Sequence, residues 1–159
     1  MTAPGLATCL WFDGQGHAAA HFYCTLFEDA AITGVTHQMR PDGSEGDPLI
    51  TAFTLMGQHY LALDGGPHYA LTPAVSISVT VPDQAEVDRL WTALLEGGGR
   101  ESRCGWLTDR FGLSWQIIPR DLHALLTLPD RDAAARVMTA MMQMVKLDVA
   151  ALQAAVAGS

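Results

Sequence analysis

Two stretches of the chain repeat one arrangement of apolar and polar positions. Residues 17 to 28 carry Ala19, Phe22, Tyr23 and Leu26 at i, i+3, i+4 and i+7, the spacing of a helix buried along one face. Residues 84 to 96 carry Val87, Leu90, Trp91, Leu94 and Leu95 in the same spacing. Asp83, with Glu86 three places on, starts this second helix as a capping box, and Gly97, Gly98 and Gly99 stop it. A shift of 68 positions lays Ala19 on Val87, Phe22 on Leu90, Tyr23 on Trp91, Leu26 on Leu94 and Phe27 on Leu95. The chain reads as a duplication.

The flanking segments repeat as well. A short apolar run, Leu10 to Phe12, precedes the first helix, and the strictly alternating Val75-Ser-Ile-Ser-Val-Thr-Val81 precedes the second, the signature of a half-buried strand. After the first helix, strands are expected at 31–37, 50–56 and 60–64, the last two forming a hairpin across Gly57-Gln58. After the second they are expected at 100–104, near Trp106 and at 113–118, with Gly112 closing the turn Asp109–Gly112. The order is β-α-β-β-β, twice, an α+β protein of one structural domain: a first module over 1–64, a second over 65–119. Beyond Pro119, Asp130 or Asp132 caps a helix with the stripe Val137, Met141, Met144 and Val145. Asp148 caps a last one with Val149, Leu152 and Val156. This helical extension, 120–159, is expected to pack on a sheet back or on a second subunit.

Composition narrows the partners. A formal charge of -8, with nine basic residues scattered along the chain, repels phosphate backbones and anionic membrane surfaces, so neither nucleic acid nor membrane is expected. The N-terminal MTAPGLATCLWFDG has no basic region followed by an apolar run, and no stretch reaches the roughly 18 apolar residues of a membrane span. The expected location is the cytoplasm. Cys9, Cys24 and Cys104, odd in number and without a C-x-x-C pair, read as reduced core thiols.

Gly14-Gln-Gly-His-Ala-Ala19 matches G-x-G-x-x-A, yet no acidic residue ends the following strand and no parallel doubly wound sheet follows, which argues against a dinucleotide site. His17 and His21 are four apart, but Ala18 stands where a zinc-protease helix needs glutamate, and the apolar stripe is expected to turn both histidines to solvent. No G-x-S-x-G elbow occurs.

LWFDG at 10–14, FYCTLF at 22–27, ALDGGPH at 62–68, DQAEVDRLW at 83–91, CGWLTDRFGLSWQIIP at 104–119 and ARVMTAMMQMVKLD at 135–148 together resemble the vicinal oxygen chelate superfamily. Within it the chain resembles the PhnB-like branch often labelled 3-demethylubiquinone-9 3-methyltransferase. The resemblance implies paired modules forming a curved, cup-like mixed sheet, completed in a homodimer. In metal-using relatives a glutamate on the last strand binds the metal, and aligning Asp109 and Gly112 puts Gln116 at that place. A neutral amide is a poorer ligand than a carboxylate. The first strand lacks the family's histidine, and Ser76, Ser78 and Thr80 replace ligands in the second module, leaving Asp64, His68 and Gln116 as candidates for a divalent metal. Trp11, Phe12, Asp64, His68, Trp106, Trp115 and Gln116 are the candidate ligand-binding residues, with His68 the candidate general base. The leading expectation is binding of a small organic molecule in the cup. A metal-dependent lyase or dioxygenase is the alternative, and methyl transfer, as the family label has it, a third; a protein kept for assembly through its helical tail also fits.

Overall fold

A computed structural model describes residues 5–158. The expected absence of a leader at residues 1–4, and Ser159 of the helical extension, lie outside the described residues. The first unit ends at Leu71 and contains β1 (Thr8–Phe12), α1 (Gly16–Leu26), β2 (Ala30–Met39), β3 (Glu45–Leu55) and β4 (Gln58–Asp64). The second begins at Thr72 with β5 (Ser76–Val81), α2 (Gln84–Leu95), β6 (Arg100–Glu101), β7 (Trp106–Thr108) and β8 (Ser114–Pro119). It continues through α3 (Leu122–Leu126), α4 (Arg131–Gln143) and α5 (Val149–Ala157). The connector after Asp64 thus belongs with the first unit, because the Trp11 indole N–H donates to the Gly66 carbonyl at 2.8 Å.

Both units build the same sheet. The hydrogen bonds form two four-stranded sheets, β1-β4-β3-β2 and β5-β8-β7-β6, each with its first strand parallel to its last and the other pairings antiparallel. The 68-residue offset carries the start of β1 onto that of β5 and the start of α1 onto that of α2. The fold is α+β, with the paired β-α-β-β-β modules expected from the pattern.

In each unit a helix covers one face of the sheet. Leu10, Phe12, Thr51, Phe53, Leu55 and Ala62 are buried with Ala19, Ala20, Tyr23 and Leu26 of α1, and Tyr23 lies 6.2 Å from Phe53 between ring centroids. Val79, Val81, Leu107, Trp115 and Ile117 are buried with Val87, Leu90, Trp91 and Leu94 of α2. The stripe of α1 is rotated from the sequence expectation. Ala20 is buried where Phe22 is only half-buried, since small residues at 16, 19 and 20 let the helix approach the sheet closely. Asp83 caps α2 by accepting from the Glu86 amide, while the Glu86 carboxylate pairs with Arg89 rather than closing the box. The first hairpin turns at Met56 and Gly57, both at positive φ, one residue earlier than expected.

The C-terminal helices pack chiefly on one another. Leu122, Val137, Leu147 and Leu152 form their core, with Met141, Met144 and Val156 against it, and Ile118 of β8 packs there from the sheet. Asp130 and Asp148 supply the N-caps. Gln84 of α2 ties this layer to the sheet unit: it donates to the Leu147 carbonyl, accepts from the Val149 amide and donates to Asp88. Lys146 donates to Asp88 at 2.6 Å, and this bond, then that from Gln84, holds the Asp88 carboxyl below its ordinary value. A carboxyl depressed on folding contributes stability above its unfolded pKa and loses it as pH falls through the folded one. Both ends of this ion pair are half-exposed, so the contribution is small. Asp88→Asn is expected to flatten slightly the acid limb of the stability curve, read by hydrogen exchange in α4 and α5.

Candidate functional site

The face of the second sheet turned away from α2 carries polar side chains. Period 2 puts Ser114, Gln116 and Ile118 of β8 on it, and the register sets their neighbours. Ser114 lies between Ser76 of β5 and Thr108 of β7; Gln116 lies between Ser78 and Trp106. The result is a block of two cross-strand rows, Ser76–Ser114–Thr108–Arg100 and Ser78–Gln116–Trp106. The Gln116 amide nitrogen reaches diagonally to donate to Ser76 Oγ at 2.9 Å, leaving its carbonyl oxygen to accept. Gln116, Trp106 and Thr108 are half-buried and Ser78 is exposed. Ser114 is 2% exposed, and among the described residues its hydroxyl is the buried side-chain oxygen without a hydrogen-bond partner. Buried hydroxyls are ordinarily paired, because an unpaired one costs the free energy of its desolvation.

A buried carboxylate holds this block in place. Asp109, 3% exposed, accepts from the amides of Phe111 and Leu113 through one oxygen and from the Trp115 indole through the other, at 2.8 to 3.1 Å. The turn into β8 is thereby fixed, and with it the direction of Ser114 and Gln116. Trp115 was expected to touch ligand. It is instead wholly buried on the α2 side, one position out of phase with Gln116, with its N–H engaged by Asp109.

Phe12 is likewise a core residue, 4% exposed under α1, because β1 turns it to the face opposite Trp11. Trp11 is half-buried on the open face of the first sheet, in a row with Leu63 and Ile50. Its ring edge meets Tyr69 at a centroid distance of 5.0 Å. This open face is apolar, where that of the second sheet is polar.

Asp64 closes β4 and spends both oxygens on α1. It accepts from the Gly16 amide at 2.6 Å and the His17 amide at 3.2 Å, so a residue 48 positions away caps the helix. A Cβ at Gly16 would lie 3.0 Å from Asp64 and 3.1 Å from Phe12, which explains the glycine. The G-x-G-x-x-A resemblance is resolved by the same bonds: amides that would cradle a phosphate cradle a carboxylate. Asp64→Ala is expected to cost about 1–2 kcal/mol, the range of a lost N-cap, with faster hydrogen exchange in the first turn of α1 as the readout. His68 is exposed on the connector. Among the described residues no three His, Cys, Asp or Glu side chains are placed to hold a metal ion. Asp64, as the cap of α1, does not fit the role of a divalent-metal ligand.

His17, expected to face solvent with His21, is instead half-buried. Its Nδ1 lies 2.9 Å from the hydroxyl of Thr51, which is buried on β3, and its ring meets His21 edge-on at 4.5 Å. His21 alone faces solvent. The i, i+4 spacing was visible; the rotated helix phase was not. A cleft of about 730 Å³ opens beside His17, lined also by Asp13, Gln38, Asp47, Asp64 and Gly66. This cleft does not coincide with the Gln116 block. Its inner polar groups are already paired, Asp64 with the helix and His17 with Thr51, whereas the block holds the orphan hydroxyl.

No helix among the described residues is long and apolar enough to cross a membrane. The family model described as 3-demethylubiquinone-9 3-methyltransferase matches residues 4–118. A Bacillus cereus PhnB protein, titled a putative 3-demethylubiquinone-9 3-methyltransferase, is 29% identical over 73% of this chain and 99% of its own, with a TM-score of 0.65. A Pseudomonas aeruginosa protein is 24% identical over 74% of this chain and 98% of its own, with a TM-score of 0.55. A fosfomycin resistance protein of Listeria monocytogenes shares the fold at 13% identity, covering 82% of this chain and 99% of its own, with a TM-score of 0.50. No curated protein matches. With the family model spanning both modules and a PhnB protein sharing the fold, the chain belongs to the 3-demethylubiquinone-9 3-methyltransferase family, the PhnB-like branch of the vicinal oxygen chelate superfamily.

Proposed function

We propose that this protein binds a small organic molecule on the open face of the second sheet. The unpaired Ser114 hydroxyl carries the reading: its oxygen is closed off in the ligand-free fold, and a shift of its half-buried neighbours Gln116 and Thr108 that admitted a ligand polar atom would recover the hydrogen bond that folding leaves unmade. Gln116 adds an acceptor oxygen, Ser76 and Ser78 add hydroxyls, and Trp106 adds an apolar surface. Few placed polar groups beside an aromatic wall are the usual chemistry of small-molecule sites. Arg100, exposed and paired with Thr108, adds a cation at the edge of this face. Homodimer formation and a cytoplasmic location belong to the same proposal.

Methyl transfer and metal chemistry have less support. The amides at the start of α1 are engaged by Asp64, and the metal candidates supply no converging set of carboxylates and imidazoles. The test is a thermal-shift screen of a broad panel of metabolites and antibiotics. At least one class is expected to raise the melting temperature of the parent and to fail with Gln116→Leu; a hit that stabilises both equally would refute the site.

Ser114→Ala separates stability from binding. Removing an unpaired buried hydroxyl is expected to leave the ligand-free protein unchanged or more stable by about 1 kcal/mol. Ligand affinity is expected to fall roughly tenfold, since about 1.4 kcal/mol is a factor of ten. Urea unfolding and calorimetric titration read the two effects; a loss of stability with unchanged affinity would contradict the assignment.

A further inference from the structure

Two sulfur-bearing side chains, those of Cys104 and Met142, meet where α4 approaches the turn before β7. Cys104 was expected in a strand as a small core residue. It lies instead in the turn Arg103–Trp106, closed by the Trp106 amide donating to the Arg103 carbonyl at 3.1 Å, with φ of 58° at Cys104 and 81° at Gly105. Positive φ at both central positions is ordinarily met by Asn, Asp or Gly. The turn is pinned to the chain leaving α4, since the Cys104 amide donates to the Met144 carbonyl at 2.9 Å and the Gly105 amide to the Val145 carbonyl at 2.8 Å. The thiol thus stands 3.7 Å from Met142 Sδ. Met138 precedes Met142 by four positions on α4, hence on the same face, and the two are 44% and 51% exposed.

We propose that Cys104, Met142 and Met138 form a binding site for a soft monovalent cation, copper(I) or silver(I). One thiol and two thioethers are a donor set that selects soft ions over magnesium, calcium or manganese. Two sulfurs sharing an ion in a trigonal plane, each at about 2.3 Å as in metal–thiolate bonds, stand about 4 Å apart. The observed sulfur–sulfur distance requires only a small opening. Binding breaks the Cys104 S–H bond, releases its proton to solvent and forms a metal–sulfur bond. Each thioether contributes a lone pair, and nothing is oxidised or reduced. This site is independent of the Gln116 block and of the divalent metal considered for it.

The test uses the full chain carrying Cys9→Ala and Cys24→Ala, reduced and free of oxygen, titrated with copper(I) against a chromophoric chelator and with silver(I) in chloride-free buffer. One ion per chain is expected to be withheld, with one proton released per ion. Cys104→Ala is expected to abolish this. Met142→Leu and Met138→Leu replace exposed side chains with ones of similar volume and so should fold. Each is expected to weaken binding on the order of tenfold at the least, the loss typical of disturbing even an outer-sphere partner. Leucine variants that bind as tightly as the parent would show a lone thiol at work and overturn the proposal, as would failure of the parent to compete with the chelator.

Discussion

Asp109→Ala is expected to destabilise the protein by about 3–4 kcal/mol, a large part of the roughly 5–15 kcal/mol that holds a domain together. The carboxylate accepts from two backbone amides and one indole while almost wholly buried, so its removal strands three donors at once. Asp109→Asn retains one acceptor oxygen and turns an amide against N–H donors; an intermediate loss of about 2 kcal/mol is expected. Urea unfolding followed by tryptophan fluorescence reads both, since the Trp115 indole reports its own hydrogen bond. A loss below about 1 kcal/mol for alanine would mean that the turn into β8 is held by something else. Because Asp109 sets the direction of Ser114 and Gln116, the variant should also lose ligand binding at temperatures where it is still folded.

Gly65→Ala is expected to cost about 1–3 kcal/mol, the range for an overpacked site. The backbone at Gly65 does not need a glycine; the space does. A Cβ there would stand 2.3 Å from the Trp11 ring, which is fixed by its bond to the Gly66 carbonyl and by its edge contact with Tyr69. Trp11→Ala in the same chain should relieve the clash, so the double variant is expected to lose less than the sum of the singles. Strict additivity in chemical denaturation would show that the two residues do not touch in solution.

The repeated module was legible because its signals are local. Alternation in residues 75–81, the stripe and cap of α2 and the glycines that stop it all act within one turn or one strand. The 68-residue echo then placed the first module by analogy. The candidate site was legible only in part. Period 2 in β8 puts Gln116 and Trp115 on opposite faces, yet both were expected at the ligand, because alternation does not say which face α2 covers. Nothing in the sequence brings Thr108 and Ser76 beside Ser114, since sheet register is set by packing across the whole unit. The same limit hid Asp64 as the cap of α1. Cys104 was misread because the strand expected over 100–104 stops at Glu101, and only the bonds to Met144 and Val145 turn the chain back at Cys104. His17 followed from the helix phase, which small residues at 16, 19 and 20 shifted toward the sheet.

Backbone chemical-shift mapping with a ligand found in the thermal screen tests the central claim most directly. Binding on the open face of the second sheet predicts the largest shifts at Ser76, Trp106, Ser114 and Gln116, lost in Gln116→Leu. Shifts centred instead on His17, Asp47 and Gly66, and retained in that variant, would move the ligand to the acidic cleft of the first unit and contradict the assignment.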